Sequence, residues 1–321
     1  PLRLVGSEMC IRDRCHTDRM MRTTSKSPNA VAMVAYATAK RTLPTFSHLK
    51  SPKKFTQPQL VACLVVKEFF RTDYRGIMEI LSDSSDLKKI LELDEVPHYT
   101  TLQKAAKRFT DKKTIDRLLK QTIVVATDTK IMKQSVDLSA VDSTGLESHY
   151  TSTYFVRRRA RGMQEYEDTH YTRFPKVGIA MDCASFLVLA GAPSWGPSPD
   201  IRHWRKVLTN ASEKKRLLRV TADAGYDAEH AHVFARTVLK IKSIIPNRVG
   251  RPTKKLPSGK YRREMAIRFD KTRYGQRWMV ETLNSMFKKR LGSFLRARTY
   301  HSQMREIMLR LFTFNVLILR Y

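Results

Sequence analysis

The sequence predicts an α/β protein, a mixed sheet flanked by helices and preceded by a smaller all-helical region. Three observations predict it. Residues Ser135 to Val141 alternate, with Val136, Leu138 and Ala140 on one face, and the run stops at Asp142-Ser-Thr-Gly. A second apolar run, Leu217 to Ala222, stops in the same way at Asp223-Ala-Gly-Tyr. Upstream of both, helix start signals recur between Phe55 and Phe109.

The elements follow in order. From His16 to Pro52 the chain is basic and rich in Ser, Thr and Pro, apart from an Ala/Val stretch between Ala30 and Ala39, and reads as a loosely ordered arm. Thr56 with Pro58 starts a mostly apolar helix over Leu60 to Phe70. Asp73 can cap a second helix through Leu81, Ser84 or Ser85 a third through Leu91, and Thr100 a fourth through Phe109. After the Asp142 strand, Lys176 to Asp182 and Phe186 to Ala190 read as an antiparallel hairpin beside it. Asp200 is placed to cap a helix through Leu208, and Asp227 one from Ala228 to Leu239, before a strand at Ile241 to Ile245. The order is β-β-β-α-β-α-β with a helical end, which is α/β with a mixed sheet.

The most informative run is Tyr274, Arg277, Glu281 and Lys288, spaced Y-x2-R-x3-E-x6-K. Steps of three, four and seven at a hundred degrees per residue put all four side chains on one helical side. Gln276 to Leu291 lacks Gly and Pro, while Gly275 and Gly292 bracket it, which predicts a helix with a glycine stop. Arg277 and Glu281 are also an i,i+4 pair of the kind that supports any solvated helix. Aspartate near glycine is likewise ordinary turn chemistry, so Asp142 or Asp223 alone would decide nothing. Together with Glu281 they make three carboxylates, which resist ionising at close quarters unless a cation sits between them. Hard oxygen donors without a Cys or His cluster favour Mg²⁺ or Mn²⁺, and two ions roughly 3.5–4 Å apart can clamp the attacking and leaving oxygens of a phosphodiester. Arg277, by its planar fork, and Lys288, as a point charge, suit the flanking phosphates.

On these residues the chain resembles the insertion-sequence transposases of the DDE superfamily, in the group marked by the Y-x2-R-x3-E-x6-K run. The matching segments are AVDSTG with Asp142, VTADAGYD with Asp223, the strand into IIPNR, and the Tyr274 to Lys288 run, within residues 133–321. The resemblance implies a ribonuclease-H-like catalytic domain in which Asp142, Asp223 and Glu281 bind two metal ions that drive DNA strand cleavage and joining. It implies DNA contacts near the cleaved end for Arg277 and Lys288, and a phosphate or positioning contact for Tyr274. The separation of 58 positions between Asp223 and Glu281 leaves no room for the large β-rich insertion some relatives carry there. The expected partners are terminal inverted repeats and target DNA, with a dimer in the synaptic complex and a nucleoid-associated place in a prokaryotic cytoplasm. The expected division is a helical DNA-binding domain over 53–132 and the catalytic domain over 133–321. An inactive DNA-binding remnant of such an enzyme, or a nuclease of the same fold acting on RNA or junctions, would share these features.

Composition agrees without deciding. The chain has 60 Lys+Arg against 30 Asp+Glu, a net charge of +30, which attracts polyanions of any sequence. Residues 251–321 hold 18 Lys and Arg against four acids and form the expected electrostatic footprint. No apolar run approaches the length of a membrane span, and Leu311 to Leu319 suits a buried terminal element. Cys10, Cys15, Cys63 and Cys183 form no CxxC pair, which predicts free thiols in a reducing compartment. The string Ser7 to Arg14 resembles translated sequencing adapter, so residues 1–15 are excluded from fold reasoning.

Other polar residues receive plainer readings. His230 and His232 point to different sides of one helix and read as surface histidines. Asp137 lies on the opposite strand face from Asp142 by parity. Trp278 reads as core packing on the motif helix, with base stacking as the alternative. Lys104, Lys107 and Arg108 either meet phosphates or form a solvated face. His149, His170 and the Arg157 to Arg161 run fall in a basic stretch that could touch DNA or nothing.

Overall fold

The computed structural model describes residues 24–48, 50, 52–109, 112–148, 173–248 and 255–319. The artefact-like opening, Cys10, Cys15, His149, His170 and the Arg157 to Arg161 run all lie outside them. Six helices come first: α1 (Pro28–Thr42), α2 (Gln57–Phe69), α3 (Tyr74–Asp83), α4 (Ser85–Ile90), α5 (Tyr99–Phe109) and α6 (Lys112–Asp128). Their starts follow cap chemistry. Thr56 and Gln59 form a reciprocal capping box at α2, Asp73 accepts from the Gly76 N–H at 2.7 Å, and Ser84 accepts from Leu87 at 3.3 Å. The stretch read as a loose arm contains α1, because its Val31, Ala32, Val34, Ala35 and Ala39 are small enough to pack close against α2 and are buried there. Helix α6 had no place in the sequence reading, although Ile115, Leu118, Leu119 and Ala126 supply a buried stripe.

The sheet has five strands in the order β3-β2-β1-β4-β5. They are β1 (Ser135–Gly145), β2 (Phe174–Asp182), β3 (Val188–Gly196), β4 (Arg216–Ala222) and β5 (Lys242–Ile244). β1, β4 and β5 run parallel, whereas β2 and β3 form the antiparallel hairpin, which is the ribonuclease-H-like arrangement. Helix α7 (Ile201–Ser212) crosses the hairpin. It comes so close that a Cβ at Gly178 would stand 2.6 Å from the His203 Cβ.

Beyond β4 the chain forms α8 (Glu229–Val233), a π turn over Phe234–Val238, then α9 (Lys260–Ile267), α10 (Lys271–Tyr274) and α11 (Trp278–Leu291). The last helix, α12 (Tyr300–Ile318), is buried continuously from Ile307 to Ile318, which explains the apolar run at the end of the sequence. It packs on β3 with one side and on α1, α2, α5 and α6 with others, so one hydrophobic core runs from Val31 to Leu319 across the α6–β1 turn. Among the described residues no helix is long and apolar enough to cross a membrane.

The contact between β3 and α12 depends on Gly191. A Cβ there would lie 2.2 Å from the Leu311 Cδ1 and 3.3 Å from the Met308 sulfur. Leu311 is fully buried and cannot swing into solvent. Gly191→Ala is therefore expected to destabilise the fold by about 1–3 kcal/mol, the usual cost of overpacking. Thermal unfolding checks this, and an unchanged Tm would show that Leu311 has room to move.

Candidate active site

Strand register brings the two aspartates together. Val141 lies opposite Ala222 in the parallel β1–β4 pair, so Asp142, within β1, and Asp223, just past the end of β4, stand level on adjacent strands; β1 does not stop at Asp142 as the sequence suggests but runs on to Gly145, held there by β2. Neighbouring strands are about 4.8 Å apart. Asp142 is half-buried and Asp223 exposed, its Oδ1 accepting from the Ala224 N–H at 2.6 Å where the chain tightens into a 3-10 turn.

Helix α11 supplies the third acid. It packs against β1, and the Asn284 amide donates to the Asp142 Oδ2 at 3.1 Å, with Glu281 one turn earlier on the helix. Burial pushes the Asp142 carboxyl up to about 6, and the charges of Asp200 and Glu281 add to the rise while the Ser143 N–H and Arg277 oppose it.

Arg277 stands among these acids. Its Nη2 donates to the Glu281 Oε1 at 2.6 Å. Burial works against its charge, yet Glu281, Tyr274, Asp223 and Asp142 together outweigh burial and raise its pKa. Among the described residues no three His, Cys, Asp or Glu side chains close on one point as a metal cluster. The expected cage of three acids is therefore open in this conformation, with a guanidinium balancing part of the negative charge. The donor set still suits a hard cation: its oxygens are carboxylate oxygens, and a carboxyl held up at about 6 would be relieved by an added positive charge.

The run around Glu281 is built differently from the expected single helix. Gly292, at φ 85°, stops α11 and donates its N–H to Lys288 as the sequence indicates. At the other end Gly275–Arg277 form a 3-10 turn, so Tyr274 and Arg277 precede the α-helix instead of lying on it. Tyr274 packs on Phe269, ring centroids 5.0 Å apart, and lies beneath the Arg277 guanidinium at 5.9 Å. Lys288, two turns beyond Glu281, makes no ion pair among the described residues. Trp278 is half-buried and lies outside the core expected for it.

Two residues of the site were missed. Asp200 was read as a helix cap, but its carboxylate makes no cap bond. It instead accepts from the Ser143 hydroxyl at 2.6 Å and pairs with Lys176, next to Asp142. Tyr226 is fully buried against Trp204, and its hydroxyl is raised first by burial and then by the charges of Asp200, Asp142 and Asp223. The charges of all three aspartates thus bear on this one hydroxyl. Only the Asp223-Ala-Gly-Tyr string hinted at it, and nothing local marked Asp200. Asp200→Asn is expected to lower the Asp142 pKa from about 6 toward the ordinary carboxyl range, because a neighbouring negative charge is removed while Lys176 remains. Carbon-13 NMR titration of labelled aspartates checks the direction.

Other expectations need correction. Asp227 does not cap α8; its carboxylate, with no exposed surface, takes both Arg262 nitrogens at 2.9 and 2.7 Å and the Arg248 N–H at 2.9 Å. His232 is fully buried, not on the surface, because α8 turns it inward onto Ser243 at 2.8 Å, and burial pushes its pKa down to about 4. His230 is exposed as expected. Asp137 faces away from the site and pairs with Arg219. Cys63 and Cys183 are free, and burial raises both thiols to about 12.

A sheet of this order, with aspartates level on adjacent parallel strands, places the chain in the ribonuclease-H-like class. Residues 133–316 match the transposase DDE domain family, more than half of the chain. The protein belongs to that family. No curated protein matches the sequence. Among solved structures, the cryo-EM structure of the piggyBac transposase synaptic complex with hairpin DNA is similar at a TM-score of 0.42 and 10% identity, covering 92% of this chain and 73% of that one.

Proposed function

We propose that this chain is an insertion-sequence transposase that cleaves and joins DNA strands at the ends of its element, using Asp142, Asp223 and Glu281 as metal ligands. The observation that carries this reading is the register that sets Asp142 level with Asp223 beneath the helix bearing Glu281. Two Mg²⁺ or Mn²⁺ ions held there would supply a deprotonated nucleophile and neutralise charge on the leaving oxygen.

The chain's own residues orient and neutralise. Asn284 fixes one oxygen of Asp142, leaving the other free to ligate. Arg277, released from Glu281, would grip a phosphate through its fork, and Lys288 would meet the next as a point charge. Tyr274 supports the Arg277 guanidinium by its ring, a positioning role. The helices over 53–132 would recognise terminal inverted repeats, and residues 133–321 would carry the chemistry. Two protomers would meet on DNA when two ends are brought together, at the nucleoid of a prokaryotic cell.

The test is incubation of the purified chain and Mg²⁺ with labelled duplexes from the element's own ends, taken from flanking genomic DNA. Nicks with 3′-hydroxyl ends and strand-transfer products are expected. Specific binding without either product, from a correctly folded protein, would make the chain an inactive remnant.

A further inference from the structure

A cavity of about 720 Å³ lies away from Asp142, between the N-terminal helices and the loop that joins α11 to α12. Its size is within the usual range for ligand sites. Lys107 of α5 lines one side, Arg296 and Arg298 of the loop another, and His301 and Arg305 of α12 a third. The acids at its edge are already engaged within the protein. Glu68 is paired with Lys67 at 2.5 Å and Arg310 at 3.0 Å. Glu306 takes Arg310 at 2.5 Å and the Ala297 N–H at 2.9 Å, and Asp73 caps α3. Lys107 and Arg305, by contrast, make no ion pair among the described residues. The first turn of α12 also opens here through Thr299, His301 and Ser302, adding the positive end of a helix to an already cationic lining.

The cations are spread over three elements instead of converging on one point, and Lys107, Arg296, Arg298 and His301 are exposed at the mouth. That suits an extended polyanion better than a compact one. The loop wall is also tied to the catalytic strand. Glu147, two residues beyond β1, donates to the Ser293 carbonyl and accepts from the Leu295 N–H, both at 2.9 Å. Gln303 donates to the Ser148 hydroxyl at 2.7 Å and to the Ala297 carbonyl at 3.0 Å.

We propose that this cleft is a second DNA site, which holds the phosphodiester backbone at a fixed distance from Asp142 and is separate from the Arg277 and Lys288 contacts. The inference rests on the DNA-processing reading given above. It makes α5 and the α11–α12 loop a single docking surface, so duplex seated by the helical region is already aligned with the strand that carries the chemistry.

Fluorescence anisotropy of the full chain with a labelled duplex, across a salt series, tests it. Removing two phosphate contacts in Lys107→Gln/Arg305→Gln should weaken binding and flatten the slope of log K against log salt by about 1.8. A control, Lys26→Gln/Lys240→Gln, removes two exposed lysines that lie outside both the helices over 53–132 and the cleft and should leave the slope unchanged. Thermal unfolding confirms that each variant is folded, and the single exposed change Lys107→Gln, with half the effect expected, substitutes if the double variant is not. Equal affinity and slope for wild type and cleft variant would overturn the cleft while leaving the transposase reading intact, as would an equal loss in the control. Displacement of DNA from the wild type by micromolar inorganic pyrophosphate, absent in the cleft variant, would overturn it in favour of a small-anion site. A wild-type chain that binds no DNA under any salt would overturn both.

Discussion

Asp142→Asn is expected to cut Mg²⁺-dependent strand cleavage by at least about 10²–10³-fold, the usual loss when a key charge-stabilising group is removed from an active site. The substitution is nearly isosteric, and the new amide can still pair with Asn284, so α11 should stay in place over β1. What disappears is the negative charge that a hard cation requires. DNA binding should be retained, since the chain's net charge of +30 changes by only one unit and in the favourable direction. Gel analysis of nicked, end-labelled duplex measures the first effect, and anisotropy the second. Cleavage at the wild-type rate would remove Asp142 from the chemistry and with it the proposed site.

Arg310→Met is expected to be the most destabilising single change, at about 3–5 kcal/mol, the cost of breaking a buried charge network on one side. Arg310 is 3% exposed and donates to Glu68, to Glu306 and to the carbonyls of Gly292 and Phe294 at 2.5–3.0 Å. Methionine fills the space but leaves all four acceptors short of a donor. The pH dependence has a definite sign. Burial opposes ionisation of Glu68, but Lys67 and Arg310 outweigh it and hold the carboxyl below its usual value. A depressed carboxyl contributes stability that is present above its unfolded pKa and lost as pH falls through the folded one. Without Arg310 the acid-side loss should begin at a higher pH. Chemical denaturation between neutral pH and the acid limit reads both effects, and a wild-type profile would show that Lys67 alone satisfies Glu68.

What could be read from residue order was whatever depends on near neighbours. The strand end at Asp223, the caps at Thr56, Asp73 and Ser84, and the stop at Gly292 each declare themselves within a few positions, whereas the strand expected to end at Asp142 continues to Gly145 because distant β2 pairs with it there. The motif spacing named Glu281 and its basic companions for the same reason, although the 3-10 turn under Arg277 shifted the helix start. Asp200 and Asp227 were misread because aspartate before a helix is normally a cap, and only distant partners, Ser143 with Lys176 and Arg262 with Arg248, draw them elsewhere. Helix α1 escaped because small alanines give a weak periodic signal, while their value lies in how closely α2 can approach. Asn284 carries no local mark; its partner is 142 positions away in sequence.

The burial of α12 between the helices and the sheet has a consequence for how the molecule comes into being. During synthesis the earlier helices and the β hairpin emerge with their shared wall still unmade, and neither side can seal before residues 300–318 leave the ribosome. Until then the nascent chain presents unsealed apolar surfaces, the kind that aggregate, so removal of residues 300–318 should cost far more than removal of an exposed loop of equal length.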